Sequence, residues 1–177
     1  MASTTTPTYR SFEPLLVRWW SLAALVASLG MLAGAWSFQL FGHLMPCHLC
    51  LKQREVYWLA ATVSVLATIW MVVRRGAHPP RALLLLLFAI FAGSCVLAAY
   101  HAGVEWHWWR GPEGCTASGG SVSASQMAAF LSGAKTASGP MCDQAAWTMW
   151  GLSMAGYNAL ISLGLAVVSL WVAVRAK

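Results

Sequence analysis

The chain has 177 residues, of which 59% are hydrophobic and only 9% charged, with a mean hydropathy of +0.62. About a quarter of the residues in a soluble globular domain are charged, so an ordinary water-soluble fold is excluded. The formal net charge is +6 and the pI near 9.4, but the basic residues sit at the edges of apolar segments. That placement reflects membrane topology and leaves no nucleic-acid footprint.

Residues 1–14 are polar and Thr-rich, which predicts a disordered cytoplasmic tail. Four stretches then lack any Asp, Glu, Lys or Arg: Trp19 to Leu51, Val56 to Val73, Ala82 to Val104 and Gln144 to Val174. A helix needs roughly 20 apolar residues to cross the hydrocarbon core, and backbone amides in lipid must pair internally. The expected spans are therefore helices at about 19–41, 50–73, 82–104 and 147–174. The first is too long for the apolar core of a secretory leader, about 7–15 residues, although Ala33-Gly34-Ala35 resembles a cleavage site. Pro79-Pro80 makes the link between the second and third helices a tight turn.

Outer loops are expected at about 42–49 and 105–146. The second contains the flexible stretch "ASGGSVSAS", followed by Met127, Phe130 and Leu131 at helical spacing. A short amphipathic helix on the membrane surface suits that spacing. The fold class is thus an all-α membrane protein, a single domain built as a bundle of four transmembrane helices with two extracytoplasmic loops. Tryptophans crowd the expected interfaces, Trp19 and Trp20 at one and Trp106, Trp108, Trp109, Trp147 and Trp150 at the other, as an aromatic belt would.

Arg10, Arg18, Arg74, Arg75, Arg81, Arg175 and Lys177 fall on one side, accompanied only by the acid Glu13. The positive-inside rule places that side, and both termini, in the cytoplasm. Cys47, Cys50, Cys115 and Cys142 then all lie in the outward loops, while Cys95 sits mid-helix and reads as a small buried hydrophobe. An even set of thiols on an oxidising face points to disulfide chemistry.

The segment "PCHLCLKQRE" (Pro46 to Glu55) puts Cys47, Cys50 and Arg54 on one face at the start of the second helix. The helix N-terminus and the guanidinium both favour a thiolate, the species that attacks disulfides and donates electrons. An inert staple closes too short a loop to stabilise much. A zinc site built with His43 and His48 lacks a second pair of close ligands. Arg54 could also simply snorkel to lipid phosphates. Cys115 and Cys142 enclose a flexible loop. Their pairing suits either a structural disulfide or an exchanging one, and the presence of a second dithiol favours a relay. Electrons reaching Cys50 need an acceptor. At a membrane interface that is a quinone, whose carbonyls Arg54 and His101 could meet.

Three segments together, "PCHLCLKQR", "YHAGVEWHWWRGPEGC" and "PMCDQAAWTMWGLSMAGYNAL", resemble the disulfide bond formation protein B (DsbB) family over roughly residues 15–175. That resemblance implies a protein of the bacterial inner membrane. Such a protein reoxidises a periplasmic thioredoxin-like dithiol oxidase (DsbA-like) and passes the electrons to ubiquinone or menaquinone. It implies that Cys47 and Cys50 are the membrane-proximal pair with Cys50 facing the quinone. It further implies that Cys115 forms the mixed disulfide with the oxidase and that Cys142 exchanges with Cys47. Arg54, His101 and Met154 would line the quinone site, with Tyr157 one turn on. Among competing classes, a cytochrome b-like haem carrier would draw on His43, His48, His101 and His107, none of which pair across helices at depth. A transporter would need ionisable or broken-helix features near the midplane. Vitamin K epoxide reductase-like enzymes do the same chemistry, with the Cys-x-x-Cys after the relay pair instead of before it.

Overall fold

The computed structural model describes residues 12–75, 78–112 and 141–176. The tail up to residue 11, Cys115 and the surface helix expected around Met127, Phe130 and Leu131 lie outside the described residues. Four helices are long and apolar enough to cross a membrane: α1 (Phe12–Leu40), α2 (His48–Val73), α3 (Arg81–Glu105) and α4 (Met154–Arg175). Between α3 and α4 a two-stranded antiparallel hairpin joins β1 (Thr148–Met149) to β2 (Leu152–Ser153).

Two boundaries differ from the sequence expectation. Helix α1 starts at Phe12, so Phe12, Glu13 and Pro14 belong to it and not to the tail. Proline is tolerated in a first turn because the amide it lacks would be unpaired there anyway. Helix α4 starts at Met154 instead of near residue 147. Trp150 and Gly151 both adopt positive φ, 49° and 80°, the conformation a two-residue hairpin turn needs, and helical φ/ψ is thereby interrupted. Ser153 then caps the new helix, its hydroxyl accepting from the Gly156 amide at 3.2 Å. Mean hydropathy does not distinguish an apolar hairpin from the first turns of an apolar helix, so the sequence alone extends the last helix back to about residue 147.

The broadest helix pairing is α3 with α4; α1 packs on α2, α2 on α3, and α1 meets α4 more lightly. The core contains Leu84, Leu87, Phe91, Ala24, Ala60, Ala166 and Val172. Fully buried serines (Ser28, Ser64, Ser94, Ser162 and Ser169) accompany them. Small residues let membrane helices approach closely where no aqueous hydrophobic effect drives them together. Trp20 belongs to this core and not to the aromatic belt: it is buried, and its indole N–H donates to Ser169 Oγ of α4 at 3.0 Å. Val26, Leu66, Val96, Leu160 and Val167 point outward, as lipid-facing positions do.

Candidate functional site

The site begins with the cap of α2. Cys47 is the N-cap residue in extended conformation, and its sulfur accepts from the Cys50 backbone amide at 3.3 Å. One turn on, the two sulfurs approach to 2.8 Å as free thiols, with Cys47 donating to Cys50. That hydrogen bond, reinforced by burial, keeps the Cys47 thiol protonated well above the ordinary thiol range. Cys50 is half-buried, whereas Cys47 is fully buried and shares a cluster with Leu49, Val104 and Cys142. Cys142 itself has no exposed surface. The structure therefore brings three of the four expected cysteines to one end of the bundle.

His101 joins them from the last turns of α3. Its Nε2 lies 3.6 Å from Cys47 Sγ and 3.7 Å from Glu105 Oε1, both side chains of the latter pair being nearly inaccessible. Its Nδ1 lies 2.8 Å from Gln53 Nε2 on α2. The contacts continue inward: Asn158 Nδ2 of α4 donates to Gln53 Oε1 at 2.6 Å, and the Tyr57 hydroxyl donates to Asn158 Oδ1 at 2.6 Å. Tyr57 and Ser162 hydroxyls are 2.9 Å apart, and Ser162 donates to Ser94 at 3.0 Å. Six side chains from three helices thus form one buried polar path that starts beside the dithiol.

Beside this path lies a cavity of about 550 Å³. Cys47, Cys50, Arg54, His101, Met154 and Tyr157 all line it, so six of the eight expected site residues border one space. The other two are Cys142, packed behind Cys47, and Cys115. Met154 is the first residue of α4. Tyr157 one turn later donates its hydroxyl to Met149 O at 3.0 Å and faces Trp147 at 6.2 Å. Arg54 does not simply reach for lipid phosphates. Its guanidinium donates to Gln39 Oε1 at 2.7 Å and Ala35 O at 3.0 Å on α1, which fixes it across the cavity wall. A largely apolar space with a guanidinium and an imidazole at its border, flanked by Phe38 and Trp147, fits a planar ring bearing two carbonyls.

The chain as a whole can be compared with known families. Residues 17–172 match the family described as disulfide bond formation protein DsbB. The chain belongs to the DsbB family. Neither curated proteins nor solved structures gave a match. DsbB membership makes this multi-pass membrane protein a thiol oxidoreductase of disulfide bond formation.

Of the histidines only His101 is buried among the described residues; His43, His48, His78 and His107 are exposed, so no facing pair is available for haem. Cys47, Cys50 and His101 do offer donor atoms within 4.8 Å of one another. Those three are one fewer than the four protein ligands of a closed structural zinc site. Sequence reasoning missed Gln53, Tyr57, Asn158 and Glu105. The signal was present: Asn158 is the only asparagine in the chain, and a polar side chain inside a membrane helix turns to the bundle interior.

Proposed function

We propose that this chain reoxidises a thioredoxin-like dithiol oxidase on the extracytoplasmic side of the bacterial inner membrane and hands the electrons to a membrane quinone. In the proposed relay a disulfide between Cys115 and Cys142 accepts two electrons from the partner's dithiol, through a mixed disulfide on Cys115. The resulting thiols reduce a Cys47–Cys50 disulfide by exchange, Cys142 attacking Cys47. The burial of Cys142 in the same cluster as Cys47 supports that exchange. When bound, a quinone (ubiquinone or menaquinone) supplies the sink for two electrons and two protons. This chain's residues do the rest: Cys50 faces the acceptor, Arg54 and His101 donate hydrogen bonds to its carbonyls, and Met154 and Tyr157 close the pocket.

The observation that carries this reading is the dithiol opening directly onto an apolar cavity bordered by a fixed guanidinium and a buried imidazole. The test has two arms. Solvent extraction of the purified protein should yield a quinone. Adding an oxidised quinone to the fully reduced protein should also consume the Cys47 and Cys50 thiols before those of Cys115 and Cys142. Thiols that remain reactive in the presence of excess quinone would defeat the reading.

A further inference from the structure

The polar path that leaves the dithiol has a direction, and the direction decides which nitrogen of His101 carries its proton. At the inner end, Asn158 Oδ1 accepts the Tyr57 hydroxyl at 2.6 Å. The Asn158 amide N–H is therefore turned to Gln53 Oε1, 2.6 Å away. With its oxygen so engaged, Gln53 presents its own N–H to His101 Nδ1 at 2.8 Å. A neutral imidazole has one donor and one acceptor nitrogen, so Nδ1 accepts and Nε2 bears the hydrogen. The outer end agrees independently. Nε2 faces two acceptors, the Cys47 sulfur, whose own hydrogen goes to Cys50, and Glu105 Oε1. Glu105 also takes a hydrogen bond from the Ser153 side chain, while its second oxygen, Oε2, has no hydrogen-bond partner among the described residues.

We infer that Tyr57, Asn158 and Gln53 form a positioning chain that locks His101 as its Nε2–H tautomer and so presents a hydrogen-bond donor to Cys47, Glu105 and the cavity. None of the three touches the reacting sulfurs; all three also border the cavity, but their effect on the His101 tautomer passes along the chain. Gln53, Asn158 and Tyr57 are buried and come from two helices, so rotation of either amide breaks a short contact inside the bundle, where an unsatisfied polar group is costly. The inference deepens the proposed quinone chemistry and rests on it only for its catalytic consequence, since the tautomer can be read without any quinone.

The full chain, with ¹⁵N-labelled histidine and in detergent or nanodiscs, supplies the measurement. His101 signals are assigned as those lost in His101→Gln. In the native protein Nδ1 is expected unprotonated and Nε2 protonated. Gln53→Glu puts a carboxylate oxygen where the amide nitrogen stood, so Nδ1 should gain a proton. Asn158→Asp cannot donate to Gln53, so the Gln53 amide should turn over and Nδ1 should again gain a proton, although Asn158 does not touch His101. Either variant decides the matter if the other fails to fold. Nδ1 protonated in the native protein, or unprotonated in both variants, would overturn the inference. With the tautomer reversed, quinone-dependent turnover should fall about 10-fold or more, as when a partner that orients an imidazole is lost. Reversal of the tautomer with unchanged turnover would uphold the positioning chain and refute His101 as a donor to the quinone.

Discussion

At residue scale, Arg54 and Cys142 carry the sharpest expectations. The Arg54 guanidinium is held by Gln39 and the Ala35 carbonyl while bordering the cavity, so its charge is fixed in place and not free to follow lipid headgroups. A hydrogen bond to a charged group is worth about 1.5–3 kcal/mol. Arg54→Met should therefore raise the quinone KM by about 10-fold to 100-fold, and Arg54→Lys should recover part of that, because lysine keeps the charge without the planar fork. Gln39→Leu removes one anchor but keeps the cation, and should cost less than Arg54→Met. Wild-type kinetics in Arg54→Met would reduce this arginine to a strut between α1 and α2. Cys142 is buried against Cys47. Cys142→Ser should abolish oxidation of the dithiol partner while leaving the Cys47–Cys50 thiols oxidisable by quinone, as read by thiol alkylation of each pair. Continued turnover with the partner would break the relay.

At the scale of elements, the hairpin before α4 is the feature hydropathy concealed. Its turn needs the left-handed backbone at Gly151, φ 80°, and a side chain there costs about 1–2 kcal/mol. The hairpin also holds the cavity wall: Met149 O accepts from Tyr157 Oη, and Trp147 and Met149 border the space. Gly151→Ala should lower the thermal midpoint in detergent by a few degrees and raise the quinone KM. Gly164→Ala on α4, where a Cβ meets open space, should do neither. Equal behaviour of the two variants would remove the hairpin's role. The four spans were legible in sequence because uncharged runs of sufficient length have one solution in lipid, and the cysteine cap because its spacing is local. Elements that depend on tertiary partners were not. By sequence Trp20 is a belt residue, but its partner Ser169 lies on α4, and Gln53 and Asn158 acquire meaning only once α2 and α4 are side by side.

For the whole molecule, the remaining question is which end faces which compartment. At the end away from the dithiol the described residues place Arg18, Arg74, Arg75, Arg81 and Arg175 with Glu13 as the only acid. Three of these arginines lie over tryptophan rings, Arg18 on Trp19 at 5.8 Å, Arg74 on Trp70 at 5.0 Å and Arg175 on Trp171 at 5.2 Å. Such pairs put a cation and an amphipathic ring together at the headgroup level, where both are favoured. At the dithiol end the described basic residues Lys52, Arg54 and Arg110 are matched by Glu55, Glu105 and Asp143, and Lys52 is spent on an exposed pair with Glu55 at 2.9 Å. An excess of positive charge resists translocation, so the arginine-rich end should stay cytoplasmic and the dithiol should face outward, where disulfides persist. Single cysteines introduced at two exposed positions in a background with the native cysteines replaced by serine test this. Gln144→Cys at the dithiol end should react with a membrane-impermeant maleimide on intact cells. His78→Cys in the α2–α3 turn should react only after the inner membrane is permeabilised. The opposite labelling pattern would put the dithiol in a reducing compartment, where the proposed relay would have no disulfide to deliver.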